Sequence, residues 1–552
     1  MADGSIFDGM GASATPPSPE ELSKFELNDD GNAMRFIRMA GGVIDAEGDV
    51  DLKMSRVLYL RNRGWIVFNG QFWDLGTGEA RAKRHAIKVA RAMQPQMAIK
   101  VAAMEERNAS AKAIQAVYDF GVSAGNASRL NNMMNVAASY LDVDMDAFDQ
   151  DPMALNCRNG VLRFRRGPHV GPGGEELDGP HLVWTPGHDP ADRFTRMCAA
   201  DYVPGTVAKK FHEVVKVALP VEEERRYVQK AHGYGATGDT GEQAFFIFQG
   251  KGGDGKSTVV NAVQHALGTY ATTVGIETFL DTGVKRGSEA SPDIAALAGD
   301  TRMLCAGEPP SGSKLATGQI KQFTGGGKIK ARELREGLFE FSPIGKPFIE
   351  CNRRPVINDT DNGIWRRLKI VPWRVSLSED RMDHDLPKKL KAEADGILCW
   401  LVEGVLMWMR EGLKDVAGVK EALEDYRKGA NPFVQWLEDR VIRDPEARTG
   451  ATLLYNDYKR WMEEQGHDKP MSQKAFGGTL GDLQIILAPK DGAGLSTRRG
   501  ARLRDENDPP PPSASATYSR ADAPDPDAGG PESGGDNDAP TLPDTDDWEG
   551  GK

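Results

Sequence analysis

The stretch "FQGKGGDGKSTVVNAV" (248–263) restricts the possible folds more than any other. It continues the apolar run "AFFIFQG" and opens "KSTVVNAVQHALG", whose apolar residues recur at helical spacing with Gly268 as a C-terminal stop. The order strand, glycine-rich turn, helix aims backbone N–H groups and a helix N-terminus at one point, which suits an anion. Gly250, Gly255, Lys256 and Ser257 fit G-x-x-x-x-G-K-[ST]. In that loop the backbone cradles phosphates, the lysine reaches the terminal ones and the hydroxyl binds Mg²⁺. Lys251, Gly252, Gly253, Asp254 and Thr258 complete the nucleotide-contacting set, so ATP and Mg²⁺ are the expected cofactors. Lys256 is expected in a solvent-open loop without core contacts.

Two further short apolar segments, "TRMLCAGE" (301–308) and "GKPFIECN" (345–352), read as strands that end in a polar residue. In parallel α/β sheets ligands sit outside the carboxyl ends of the strands, so Glu308 and Asn352 should project toward the nucleotide. Phosphoryl transfer needs a phosphate cradle, a metal, a group that orients the attacking water and a cation on the developing charge. Lys256 and Ser257 supply the first two, with Glu308 as metal neighbour and water-polarising base and Asn352 as a second water contact. The cation is expected from "NGIWRRLKIVPW", at Arg366 or Arg367, since a guanidinium stays charged and forks onto phosphate oxygens.

Charge and cysteine usage narrow the setting. The net charge of −12 is concentrated in residues 505–552, whose thirteen acidic and two basic residues leave only −1 for residues 1–504. Local basic surfaces such as "KIKARELR" (328–335) are therefore compatible with a nucleic-acid partner. Five scattered cysteines without a C-x-x-C, no long apolar run and no signal-peptide pattern point to a cytoplasmic protein without a membrane partner.

The blocks "GKGGDGKST", "RMLCAGE", "IKQFTGGGKIKARELREGLFEFSPIGKPFIECNRRP" and "GIWRRLKIVPW", in this order, resemble the superfamily 3 helicase domain of phage and plasmid primase-helicases, and also poxvirus primase-helicases. "NGVLRF" with "DYVPGTVAKKFHEVV" resembles the helical domain preceding that ATPase, and "LLYNDYKRWMEEQG" with "SQKAFGGTLG" its C-terminal winged-helix region, so residues 28 to about 503 are covered. The resemblance implies the catalytic roles given above, an arginine finger reaching a neighbouring subunit, and a basic hairpin bearing Lys328, Lys330 and Arg332 on single-stranded DNA. It further implies a homo-oligomeric ring, hexameric by expectation, on single-stranded or forked DNA, with a separate primase or polymerase as a candidate partner. Two departures stand out: Gly325, Gly326, Gly327 where an acidic residue commonly precedes the hairpin, and Gly307 where many such domains place a second acid beside Glu308.

The expected architecture is α/β: a P-loop AAA+-like ATPase core at 221–425, a mainly helical N-terminal domain at 28–220, a small winged-helix-like domain at 426–504, and disordered ends at 1–27 and 505–552. The expected activity is an ATP-dependent replicative DNA helicase of a phage, prophage or plasmid, with a nucleotide-gated origin-binding or loading protein of weak ATPase activity as the alternative. "YLDVDMDAFDQD" offers Asp142, Asp144 and Asp146 at the D-x-D spacing of primase metal sites, although the region reads better as an acidic linker. Trp65, Trp73, Trp365, Trp436 and Trp461 read as core anchors before base-stacking platforms, and His232, His265 and His384 show no ligand spacing.

Overall fold

The computed structural model describes residues 16–509 except 46, 62, 172, 282–291, 296, 333–337, 358–361, 377–382, 466–469 and 490–494. The expectations for residues 1–15 and 510–552, and for the tip of the basic hairpin at 333–337, fall outside the described residues. Two compact units divide the chain, Met1–Asn431 and Pro432–Lys552. The expected boundary at 425/426 thus lies inside the first unit, because Tyr426 is buried edge-on against Trp365.

The heart of the first unit is a five-stranded parallel sheet. Its strands are β1 (Phe245–Gly250), β2 (Ala271–Thr273), β3 (Met303–Ala306), β6 (Lys346–Cys351) and β7 (Leu368–Trp373), in the order β2-β3-β6-β1-β7. These strands are near-continuous apolar runs, as expected of parallel strands covered on both faces. Helix α1 (Lys256–Leu267) returns from β1 to β2 across one face and buries Val259, Val260 and Val263. The segment between β3 and β6 carries an antiparallel hairpin, β4 (Ile329–Arg332) and β5 (Leu338–Phe341), with Lys330 opposite Glu340.

Residues 29–143 form a separate core. The helices Asp29–Met39, Gly78–Arg91, Met93–Glu106, Ala111–Ser123 and Ala127–Tyr140 pack with a four-stranded sheet around Phe36, Trp65 and Trp73. The expected disorder of 1–27 is corrected from residue 16 onward. Ser18 caps the helix Pro19–Ser23, Leu22 is buried, and the fully buried Arg35 donates to the carbonyls of Phe25 and Glu26, both at 2.7 Å.

The expected limit at 220 does not separate two cores. Leu155, Leu162, Phe164, Phe211 and Val215 are buried in the same cluster as Phe246, Phe248 and Val259. Arg302, which leads into β3, is fully buried; it pairs with Asp300 at 2.6 Å and donates to the carbonyls of Ala154 at 2.6 Å and Ala236 at 3.1 Å.

The second unit runs helix (Pro432–Arg440), strand (Val441–Gly450), two helices (Ala451–Glu464 and Gln473–Asp482), then strands Ile486–Ala488 and Thr497–Leu503, with the last strand between the other two in an antiparallel sheet. Trp436 and Trp461 anchor its core. The expected start of the disordered tail at 505 moves outward, because Arg502 pairs with Asp508 at 2.5 Å and holds the chain as far as Pro509. Among the described residues no helix is long and apolar enough to cross a membrane.

Candidate functional site

The turn between β1 and α1 is tight because its glycines adopt conformations closed to most residues: Gly252, Gly253 and Gly255 have φ of 91°, 62° and 81°. Gly250 is required for a different reason, since a Cβ there would lie 1.8 Å from Oδ2 of Asp254. Residues 252–258 line a cleft of about 330 Å³ together with Gly307, Glu308 and residues 350–352, at the carboxyl ends of β1, β3 and β6.

A continuous polar network crosses this cleft. Lys256 Nζ pairs with Asp254 Oδ2 at 2.5 Å and donates to Asn352 Oδ1 at 3.2 Å. Asn352 donates from Nδ2 to Glu308 Oε2 at 2.6 Å and from its backbone N–H to Glu308 Oε1 at 3.1 Å. Lys256 and Asp254 are 5% and 3% exposed, which corrects the expected solvent-open lysine. The ammonium lies inside the turn because Asp254 offers a buried counter-charge two residues away, and desolvated charges need such a partner.

Glu350 is a cleft residue that sequence reasoning missed. It accepts a hydrogen bond from Ser257 Oγ, and burial raises its carboxyl pKa against the smaller opposing effects of that bond and of Lys256. Its signal was available: a lone acid inside the apolar run "KPFIECN", two residues before Asn352 and so on the same side of an extended strand.

The two candidate finger residues differ in environment. Arg367 is buried and donates to Thr324 Oγ1 at 3.0 Å and to the Gly363 carbonyl at 2.6 Å, which corrects its reading as a finger. Arg366 is exposed, with one hydrogen bond of 3.1 Å to Gln243 Oε1. Adjacent residues at the mouth of a strand point to opposite sides, so one faces the core and the other solvent.

In the hairpin, Lys330 is exposed opposite the buried face of Ile329 and Ala331, and lies 3.5 Å from Glu340 on the partner strand. Lys328 is exposed just before β4; Arg332 lies in β4, with its side chain outside the described residues. The aromatic candidates are all buried: Trp65, Trp73, Trp365, Trp436 and Trp461 serve cores. Asp142 and Asp144 both pair with Arg61, at 2.6 and 3.0 Å, which gives the D-x-D a structural use.

The site fits a magnesium nucleotide on its own chemistry, with a helix N-terminus, a buried ammonium, a hydroxyl and three carboxylates around one cleft. Residues 49–220 match the family model described as D5 N terminal like. A protein of Acanthamoeba polyphaga mimivirus named "Putative helicase L207/L206" is 28% identical over 274 residues, 46% of this chain and 28% of that protein. "Putative helicase 022R" of Frog virus 3 is 25% identical over 289 residues, 49% of this chain and 30% of that protein. The matches thus span less than a third of either relative. A solved structure of the NrS-1 C-terminal region aligns distantly, at 11% identity and a TM-score of 0.36, with 55% of this chain and 77% of that chain. By sequence, then, the chain is related to proteins named as helicases and primases of large DNA viruses, and its resemblance to the superfamily 3 primase-helicase family holds.

Proposed function

We propose that the chain is an ATP-dependent DNA helicase that hydrolyses ATP at subunit interfaces of a ring and translocates on single-stranded DNA. The observation that carries this reading is the Lys256–Asn352–Glu308 network, which joins a phosphate-loop lysine to groups on two other strands across separations of 96 and 44 residues. The sheet order, with β1 between β6 and β7, supports a P-loop core of the AAA+ kind. The helix–strand–helix–helix–strand–strand order of the second unit supports a winged-helix-like reading.

In this reading the loop N–H groups hold the phosphates, and Lys256 exchanges Asp254 for a phosphate oxygen. Ser257 provides the hydroxyl beside Mg²⁺, which would neutralise phosphate charge. Glu308 draws a proton from the attacking water and Asn352 fixes the carboxylate that does so. Arg366, exposed at the head of β7, is the candidate finger for the neighbouring subunit, and Lys330 with Lys328 the candidate grip on the DNA backbone, a contact independent of sequence.

The alternative, a nucleotide-gated loader with weak turnover, draws on Gly307, where no second acid stands beside Glu308. ATP hydrolysis with and without single-stranded DNA, followed by strand displacement on a forked substrate, separates the readings. DNA-stimulated turnover with displacement is the expected result; binding of ATP without turnover would favour the loader, and no nucleotide binding at all would sink both.

A further inference from the structure

Two carboxylates enter the nucleotide cleft from adjacent strands, and they have different partners. Glu308, two residues beyond β3, is held by the side chain and backbone of Asn352. Glu350, inside β6, holds the hydroxyl of Ser257. That hydroxyl is the group a phosphate loop presents to its divalent cation. A hard cation there takes oxygen ligands and keeps several waters, whose O–H groups need a carboxylate nearby to accept their hydrogen bonds.

Both carboxylate oxygens of Glu308 are engaged by Asn352, and the position before it is Gly307. A Cβ at Gly307 would meet no atom within 4 Å, so space for a second acid exists there without an acid in it. Charge points the same way. With all three ionised, Asp254, Glu308 and Glu350 against the ammonium of Lys256 would leave the cleft two negative charges in excess, the charge of one divalent cation.

We propose that Glu350 is the carboxylate that secures Mg²⁺ beside Ser257, standing in from β6 for the acid missing at Gly307 and leaving Glu308 to the attacking water. The assignment rests on the nucleotide-hydrolysing reading and divides two roles between two strands. One consequence is electrostatic: without a divalent cation the excess negative charge opposes a nucleotide's phosphates, so binding should depend steeply on Mg²⁺.

The test is equilibrium binding of a fluorescent ATP analogue to the full chain across a Mg²⁺ titration, with a chelator as the zero point. Wild type should tighten strongly as Mg²⁺ is added. Glu350→Gln should still bind in chelator and should lose about tenfold or more of the Mg²⁺-dependent gain, the scale on which groups holding a metal's shell act. Glu308→Gln, which removes the same amount of charge from the cleft, should keep clearly more of that gain than Glu350→Gln. Gly307→Asp added to Glu350→Gln should restore much of it, which a merely structural Glu350 would not explain. Glu350→Asp, which keeps the charge but shortens its reach, should show an intermediate gain and serves if the amide variant does not fold. A full Mg²⁺ gain in either Glu350 variant, or no Mg²⁺ dependence in a wild type that binds the analogue, overturns the assignment. A wild type that never binds the analogue overturns the nucleotide-hydrolysing reading itself.

Discussion

Lys256, a catalytic side chain on the proposed reading, is also a structural one. Replacing it by alanine removes the phosphate contact and also leaves Asp254 as a buried carboxylate without its counter-ion, at a cost of about 3 kcal/mol. Lys256→Ala should therefore lose hydrolysis and melt early, whereas Lys256→Ala with Asp254→Asn should recover the melting temperature and stay inactive; recovery of hydrolysis in the double variant would remove the lysine from the chemistry. A second expectation concerns two buried rings. His85 donates from Nε2 to the Phe36 carbonyl and His232 from Nδ1 to the Val228 carbonyl, each leaving its other nitrogen without a partner, and burial pushes both pKa values down to about 4. The unfolded chain then binds more protons than the folded one between pH 6.5 and 4, so each ring withdraws up to about 3 kcal/mol of stability as the pH falls through that window. Asp149, pushed up to about 6 by burial and by Asp300, binds its proton earlier in the folded state and opposes the trend below pH 6. Urea midpoints should thus fall from pH 6.5 to 4, and Asp149→Asn, neutral throughout, should steepen the fall; a flat profile in both proteins contradicts the lowered pKa values of the two rings.

Strand β6 explains much of what could and could not be foreseen. Its residues alternate faces: Phe348 packs in the cluster that includes α1, while Ile349 and Cys351 pack on the other side. Glu350 and Asn352 therefore share the side of the phosphate loop. Asn352 and Glu308 were legible, because polar residues that close apolar runs are conspicuous. Glu350 was not, since its polarity is enclosed by the run itself. Arg366 and Arg367 were indistinguishable in sequence, since the partners that draw Arg367 inward include Thr324, 43 residues away. The loop and its helix were legible from glycine spacing and helical periodicity, and the β4–β5 hairpin from the family resemblance; the ordered segment 16–27 was not, because it is held by contacts with residues further along the chain, the buried guanidinium of Arg35 above all. For the hairpin, Glu340 is expected to mask part of the charge of Lys330. Glu340→Gln should tighten single-stranded DNA binding at low salt, and Lys330→Ala should reduce the log–log salt slope by about 1. Unchanged slopes in both variants would remove the hairpin from the DNA contact.

A ring makes each site the property of two subunits, and this can be tested without seeing the ring. Arg366→Ala should bind ATP, because the cradle belongs to the subunit that holds the nucleotide, yet hydrolysis should fall by about 10³ or more, the scale of arginine fingers. Mixed with Lys256→Ala, Asp254→Asn, it should regain hydrolysis at interfaces where a sound loop faces a sound arginine. Two inactive proteins that stay inactive in a demonstrated mixed assembly would rule out a shared site. The burial of residues 155–219 against β1 and α1 has a different kind of consequence. A chain begun at residue 221 should be insoluble, since it would expose the surface that Phe211, Val215 and Phe164 cover. For the same reason the phosphate loop is poorly portable: whatever recombination carries it into a new chain must carry the stretch from about residue 155 with it, so the two are expected to share one history of descent even where neither touches the chemistry of the other.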